Sequence, residues 1–194
     1  MSLVVAYKKG DVVYMGADTQ VTCGSEIGRT LNEIGFKIAR MPSGILMGVC
    51  GRVKYHQRIL AQKQWFTLGE GEKLSKRYIV KNVIPALSAL MQNISEDKDA
   101  SHSSMEISLL LAQEDRLFLL TRQFAVYECD HCLAIGAGDD YAKFALMQAG
   151  QAADINEGLI RALKTGAHFD STVSAPYILI DTKNREYQIV EDEQ

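Results

Sequence analysis

Residues 2–22 of the chain read SLVVAYKKGDVVYMGADTQVT and contain the first evidence about its architecture. Residues 3–7 and 12–17 are two apolar runs rich in β-branched side chains, and Lys8-Lys9-Gly10-Asp11 separates them. A Gly-Asp pair between two such runs is typical of a tight β-hairpin. The sequence therefore predicts that the chain begins with two antiparallel strands and that Ser2 lies at the start of the first one.

The rest of the chain alternates between groups of strands and groups of helices. Further strands are predicted at 36–40, 45–50, 105–112, 116–121, 124–127 and 133–136, with a last hairpin from 177–181 and 186–190. Apolar residues near a 3.6 period predict helices at 52–66, 74–94, 139–149 and 155–167, and 95–104 is predicted to be an exposed loop. Pro85 should kink or break the second helix.

This order of elements indicates the fold class. Strands, helices, strands, helices, strands is not the βαβα alternation of a parallel sheet, and it favours α+β. We expect two antiparallel sheets, each covered on its outer face by a pair of helices, which is a four-layer αββα sandwich. A chain of 194 residues without repeats or linkers is expected to form one domain over residues 1–194.

Composition and charge exclude several classes of protein. Hydrophobic residues make up 47% and charged residues 23%, which is the balance of a globular protein. The net charge of -3 argues against a nucleic-acid binder. No apolar run approaches the roughly 18 residues of a membrane span. The chain opens without a basic segment or a small-residue cleavage site, so we expect a cytoplasmic protein with no leader before its fold.

Ser2 is a candidate nucleophile. Removal of Met1, which a small second residue permits, would place the Ser2 hydroxyl beside a free α-amino group. That amine has an ordinary pKa of about 7.7–8.0, so it can accept the hydroxyl proton at neutral pH. Two other interpretations stay open: many chains start Met-Ser without being catalytic, and Met-Ser-Leu could be a leader left by cloning.

Four other positions could belong to a site, although each also has an ordinary explanation. Asp18 ends the second predicted strand and could be a turn residue. Gly48 lies between a strand and a helix start, where its N–H could face an oxyanion, or where it could allow close packing. Gly136 and Gly138 form a turn into a helix, and Asp139 beside them argues against a phosphate loop.

Taken together, these positions resemble the proteasome β-subunit family, including its HslV type, over nearly the whole chain. Ser2 and Asp18 have the spacing of the family's N-terminal Thr and its acidic residue, and Thr22 matches the family's substrate-binding Thr. Further matches are Ile45–Gly51 with the glycine-containing oxyanion segment, Ala134–Gly138 with an Ile-Gly-Ser-Gly segment, and Asp170-Ser171 with a second acidic segment. The order and spacing of these segments carry the resemblance.

The sequence departs from the family at three positions. The nucleophile would be Ser, which lacks the methyl group that restricts the rotamer of Thr. Ile34 stands where the family has its active-site Lys, and Lys37 is the nearest replacement; it would lower the pKa of the α-amine by charge repulsion, or else be a surface residue. Ala137 replaces the Ser of the family's Gly-Ser-Gly.

The resemblance implies a peptidase of the N-terminal-nucleophile type. Ser2, Asp18, Lys37 and Gly48 would be its catalytic residues, with Thr22 binding the substrate and Gly136, Gly138, Asp170 and Ser171 supporting them. It also implies a polypeptide substrate, a homo-oligomeric ring and an ATPase unfoldase partner, with no cofactor. The rival hypotheses are a catalytically inactive assembly subunit of the same fold and a small-molecule amidase.

The cysteines suggest no disulfide framework. Four Cys residues are few for a chain of this length. Cys129-Asp130-His131-Cys132 is a CxxC with a histidine inside it, but no second CxxC supplies further zinc ligands. We therefore expect no metal, and we leave open a redox role for this pair.

Overall fold

The computed structural model describes residues 2–23, 26–29, 37–94, 106–152, 154–184 and 186–191. Its strands are β1 (Leu3–Lys9), β2 (Val12–Asp18), β3 (Gln20–Cys23), β4 (Glu26–Arg29), β5 (Ile38–Arg40), β6 (Leu46–Gly51), β7 (Ile107–Gln113), β8 (Arg116–Leu120), β9 (Val126–Cys129), β10 (Cys132–Gly136), β11 (Tyr177–Asp181) and β12 (Gln188–Val190). Its α-helices are α1 (Val53–Ala61), α2 (Lys76–Tyr78), α3 (Ile84–Ile94), α4 (Asp139–Leu146) and α5 (Ile155–Phe169). Residues Ile79–Val83 form a π-helical turn between α2 and α3.

Two antiparallel sheets contain most of the strands in the described part of the chain. The first has the order β10-β1-β2-β11-β12, and the second has the order β5-β6-β7-β8-β9. In the first sheet, Leu3 pairs with Gly136 across β1 and β10, and Asp18 pairs with Tyr177 across β2 and β11. The start of β1 and the end of β2 therefore lie side by side at one end of this sheet.

Three apolar clusters separate four layers. Val4 and Ala6 of β1 pack between the two sheets, while Leu3 and Val5 face α4 and α5 on the outer side of the first sheet. The third cluster lies between the second sheet and the helical segments α1 to α3. Because both faces of β1 are covered, its first four residues are all buried and apolar, rather than alternating with polar ones.

The predicted fold class is confirmed: the chain is α+β, with two antiparallel sheets between helical layers. The predicted helix at 52–66 is shorter, because α1 ends at Ala61 and a 3₁₀ turn follows at Lys63–Phe66. The predicted break at Pro85 takes the form of the π-helical turn that precedes it, and the chain remains helical from Lys76 to Ile94. The predicted loop at 95–104 lies outside the described residues.

One pair of strands was not predicted from the sequence. β3 and β4 form a separate two-stranded sheet directly after β2, with Thr22 paired with Ile27. Hydrophobic periodicity does not predict this sheet, because its strands are short and partly polar and neither shows a run of alternating apolar residues.

Candidate active site

Ser2 lies at the entrance to β1 and is almost completely buried, with 7% of its surface exposed. Its carbonyl oxygen accepts a hydrogen bond of 2.8 Å from the Ala137 N–H. The Cys50 Sγ atom lies 3.5 Å from the same oxygen. The backbone of the predicted nucleophile is thus held by residues of β6 and of the turn that follows β10.

Asp18 lies at the end of β2, and its side chain is fully buried. Its Oδ1 atom accepts a 2.8 Å hydrogen bond from the Leu3 N–H, which is the amide directly after Ser2. Its Oδ2 atom accepts a 3.2 Å hydrogen bond from the Gln20 N–H. The Ser2–Leu3 peptide group is therefore fixed at both of its polar atoms, at the oxygen by Ala137 and at the nitrogen by Asp18.

Lys37 immediately precedes β5, and 2% of its side chain is exposed. Its Nζ atom donates to Asp18 Oδ1 at 2.7 Å and to the Gln20 carbonyl oxygen at 2.6 Å. A buried ammonium group needs a paired carboxylate and further acceptors, and these two contacts supply them. The structure thus brings Lys37 to Asp18 and does not leave it on the surface.

Burial and pairing act on the Asp18 carboxyl in opposite directions. Burial raises its pKa above the ordinary value, because the charged form loses its hydration. The charge of Lys37 and the N–H groups of Leu3 and Gln20 lower the pKa. The pKa of Asp18 therefore depends on all three donors around its carboxyl group.

Two glycines shape the wall behind Ser2. Gly136 has a φ angle of +110°, and a Cβ atom there would lie 1.8 Å from the Ser2 carbonyl oxygen. Gly138 precedes α4 with a φ angle of +70°, and a Cβ atom there would lie 2.8 Å from the Gly166 oxygen. Gly136 thus touches the predicted nucleophile directly, whereas Gly138 allows α4 to approach α5.

Gly48 fits the predicted oxyanion role poorly. It pairs with Ile38 of β5 and with Leu110 of β7, and the neighbouring Val49 N–H donates to the Lys37 carbonyl oxygen. Because N–H groups alternate in direction along a strand, the Gly48 N–H is directed toward β7 and serves the sheet. A Cβ atom on Gly48 would lie 2.6 Å from the Val4 side chain, so this glycine allows the two sheets to approach closely.

Gly51 is the better candidate for the oxyanion donor, and sequence reasoning did not select it. It ends β6, directly after Cys50, and has a φ angle of +140°. The same alternation directs its N–H away from β7, toward the side on which Val49 bonds to Lys37. Gly51 belongs to the segment that carries the family resemblance, but spacing alone does not show which glycine has its N–H directed away from β7.

Gln20 connects two of the remaining predicted residues, Thr22 and Ser171, to Asp18. Its side-chain amide donates to the Ser171 carbonyl oxygen at 3.0 Å and to Thr22 Oγ1 at 3.4 Å. Thr22 lies on β3 and is half-buried. Asp170 follows α5 and turns its Oδ1 atom to the N–H and hydroxyl of Thr172, at 2.9 and 2.5 Å. Sequence reasoning missed Gln20, although its place two residues after Asp18 was a usable indication.

Other thiols and grooves lie apart from these residues. Cys129 and Cys132 are free, half-buried thiols, and burial raises the pKa of Cys132. Within the described residues, no group of three or more His, Cys, Asp or Glu side chains could hold a metal ion. A groove of about 500 Å³ on the outer face of α5 is lined by residues that include Glu157, Arg161 and His168, and none of the predicted site residues lines it.

The fold matches several solved structures over nearly the whole chain. BPH from Thiobacillus denitrificans matches with a TM-score of 0.76 and 18% identity, over 98% of this chain and 100% of that chain. A second BPH structure, in complex with epoxomicin, matches with a TM-score of 0.72 and 20% identity, over 92% of this chain and 97% of that chain. HslV from Trypanosoma brucei matches with a TM-score of 0.67 and 19% identity, over 92% and 98% of the two chains.

Anbu (ancestral beta-subunit) from Yersinia bercovieri matches with a TM-score of 0.72 and 14% identity, over 98% of this chain and 88% of that chain. No protein-family model and no curated protein matches the sequence. The described part of the chain contains no helix that is long and apolar enough to cross a membrane. At these identities the likeness concerns the fold, and the chain has the fold of the proteasome β-subunit and HslV type of N-terminal-nucleophile hydrolase.

Proposed function

We propose that the chain is a proteasome-type peptidase subunit and that Ser2, exposed by removal of Met1, is its nucleophile. The observation that carries the proposal is the placement of the Ser2–Leu3 peptide group. Its nitrogen donates to Asp18, which is paired with the buried Lys37, so a charged group and its counterion lie one peptide bond from the hydroxyl. Buried titratable pairs of this kind are common at catalytic sites.

In this mechanism, the Ser2 hydroxyl oxygen forms a bond to the carbonyl carbon of a substrate peptide. The free α-amine of Ser2 accepts the hydroxyl proton and then gives a proton to the leaving amine. The positive charge of Lys37 lowers the pKa of that α-amine, which keeps it neutral and able to accept a proton. Water then cleaves the ester and releases the second product, so hydrolysis requires no cofactor.

The oxyanion of the tetrahedral intermediate would receive a backbone N–H from the end of β6. We assign this role to Gly51, because the Gly48 N–H is directed into the sheet. An extended substrate would pair with β3 near Thr22, which adds a strand beside the site. Gly136, Gly138, Asp170 and Ser171 would support these groups from behind.

The fold also supports assembly with other copies of the chain. The relative from Yersinia bercovieri is described as a beta-subunit. A ring of identical subunits would enclose the active sites and admit only unfolded polypeptides. The chain carries no P-loop, so unfolding of substrates would require a separate ATPase partner.

Processing of the N-terminus provides the direct test. Intact-mass measurement of the protein from its native host is expected to show loss of Met1, and the purified protein should hydrolyse fluorogenic peptides. Ser2→Ala should abolish this hydrolysis, while Ser88→Ala on α3, away from the site, should not change it. Retention of Met1, or an undiminished rate in Ser2→Ala, would exclude the mechanism.

One observation favours an inactive assembly subunit as the second candidate. The side chain of Ala137 carries no hydroxyl, although its N–H holds the Ser2 carbonyl oxygen. The family resemblance places a serine at this position, so the site lacks one polar group behind the nucleophile. In that case the protein would form rings, and neither the wild type nor Ser2→Ala would hydrolyse peptides or bind epoxomicin.

A further inference from the structure

The proposed site takes its groups from two different sheets, and one side chain connects them. Ser2 precedes β1 of the first sheet, and Gly51 ends β6 of the second. Cys50, the neighbour of Gly51, reaches from β6 to the first sheet. Its Sγ atom lies 3.5 Å from the Ser2 carbonyl oxygen and 3.1 Å from the Ile135 carbonyl oxygen.

The backbone around Cys50 leaves space for this thiol. Gly136 lies between Ile135 and Ala137, and a Cβ atom on Gly136 would lie 2.8 Å from Cys50 Sγ. The same Cβ atom would lie 1.8 Å from the Ser2 carbonyl oxygen. The missing side chain of Gly136 therefore permits both contacts, and the thiol of β6 lies against the neighbouring ends of β1 and β10.

The chemistry of this thiol suits a donor and not a nucleophile. Cys50 is 2% exposed, so a substrate cannot reach its sulfur. Burial raises the pKa of the thiol far above its usual range, so it stays protonated at neutral pH. A protonated thiol can donate its one hydrogen to either carbonyl oxygen, and its size sets a lower limit on the distance between β6 and the first sheet.

We propose that Cys50 is a positioning residue that fixes the Ser2–Leu3 peptide group relative to β6. The thiol acts as a spacer and weak donor between the two sheets. It sets the separation between the Ser2 backbone and the Gly51 N–H on the next residue of β6. The effect of Cys50 on catalysis rests on the proposed function. Its effect on the position of the Ser2–Leu3 peptide group is independent of that function.

Three substitutions separate the two properties of the thiol. Cys50→Ser keeps a donor, Cys50→Val fills the space with a somewhat larger apolar side chain and no donor, and Cys50→Ala loses both the donor and the volume. Cys129→Ala is the matched control, because Cys129 is a half-buried thiol that contacts the carbonyl oxygen of Cys132, at 3.4 Å, away from Ser2. Thermal unfolding identifies any variant that does not fold. If Cys50→Ala does not fold, Cys50→Ser is compared with the wild type and with Cys129→Ala instead.

The first measurement does not depend on activity. Amide hydrogen exchange by NMR reports on the Leu3 and Ala137 N–H groups, which bond to Asp18 and to the Ser2 carbonyl oxygen. In Cys50→Ala, we expect exchange at both amides to rise by about tenfold, because the peptide group becomes free to move. Cys50→Ser should restore protection, and Cys129→Ala should not alter it. Unchanged exchange in Cys50→Ala and Cys50→Val would overturn the proposal.

The second measurement is peptide hydrolysis. We expect Cys50→Ala to lower kcat by about tenfold at an unchanged KM, because misplacement affects the transition state more than substrate binding. An active wild type with an equally active Cys50→Ala would overturn the catalytic part. A wild type that hydrolyses nothing and does not react with epoxomicin would instead exclude the proposed function, and hydrogen exchange would still decide the position of Cys50.

Discussion

Lys37 Nζ lies 2.7 Å from Asp18 Oδ1, and neither side chain is more than 2% exposed. The pair stands one hydrogen bond away from Ser2, because the same Asp18 oxygen accepts the Leu3 N–H. Separating two buried charges from water costs free energy, and replacing both by apolar groups is often neutral. A structural requirement alone therefore does not explain why this pair is present, and the proposed mechanism offers an explanation, because it requires a charge near the N-terminus.

Lys37→Met should strongly destabilise the protein. The substitution leaves the Asp18 carboxylate buried without its counterion, and we expect the free energy of unfolding to fall by about 3–5 kcal/mol. Urea denaturation measures this change. Lys73→Met is the matched control, because Lys73 lies at the same 2.7 Å from Glu114, but with both side chains more than half exposed. Its loss of stability should be much smaller, because exposed ion pairs contribute little to the free energy of unfolding.

If Lys37→Met does not fold, the double variant Asp18→Asn/Lys37→Met tests whether the unpaired Asp18 carboxylate causes the loss of stability. It removes both charges, so part of the lost stability should return, although peptide hydrolysis should not. Equal losses in the Lys37 and Lys73 variants would contradict the role of burial in this pair.

Gly136→Ala should disrupt the wall behind Ser2. The added Cβ atom would meet the Ser2 carbonyl oxygen at 1.8 Å, and a φ angle of +110° is unfavourable for alanine. Gly44→Ala is the control, since Gly44 has a φ angle of +81° with nothing within 4 Å of its Cβ position. We expect Gly44→Ala to cost about 1 kcal/mol and Gly136→Ala to cost clearly more. Thermal unfolding and peptide hydrolysis are measured on both variants. Equal losses in Gly136→Ala and Gly44→Ala would contradict the prediction.

Local sequence patterns predicted the fold better than the site. The hairpin of β1 and β2 follows from two apolar runs around Gly10-Asp11, and hydrophobic burial on both faces explains why these runs do not alternate. The order of strands and helices then allowed few arrangements other than two covered sheets. β3 and β4 were missed because their residues are mostly polar or partly exposed, so no periodicity marks them.

The site depends on the register between strands, which a single sequence does not contain. Lys37 could be proposed from the family resemblance, but its contact with Asp18 depends on how β5 of the second sheet packs against β2 of the first. The choice between Gly48 and Gly51 depends on which N–H groups the sheet ladder uses. No local pattern predicts a role for Cys50, because its contact with Ser2 crosses between the two sheets.

Gln20→Met should loosen the connection between Asp18 and the loop after α5. The substitution keeps the length of the side chain but removes the amide that donates to the Ser171 carbonyl oxygen at 3.0 Å. We expect a loss of about 1 kcal/mol in the free energy of unfolding, which is typical for one hydrogen bond. Gln148→Met, just after α4, is the control. Similar losses in the two variants would show that the contact with Ser171 contributes nothing specific.

Asp170 provides a prediction about pH. The hydroxyl and the N–H of Thr172 hold the pKa of the Asp170 carboxyl below its ordinary value of 3.8. In the unfolded chain these bonds are absent, so the folded state gains stability from the carboxylate at pH values above the ordinary pKa. This stabilisation disappears as the pH falls through the lowered pKa of the folded state, because both states are then protonated.

Thr172→Val should raise the pKa of Asp170 toward its ordinary value, because the variant lacks the hydroxyl but keeps the N–H bond. The loss of stability on acidification below pH 3.8 should become shallower. Carboxyl ¹³C NMR titration measures the pKa, and urea denaturation across the same pH range measures stability. Thr172→Ser retains a hydroxyl and should keep the pKa low. An unchanged Asp170 titration in Thr172→Val would show that the hydroxyl does not hold this carboxylate at the end of α5.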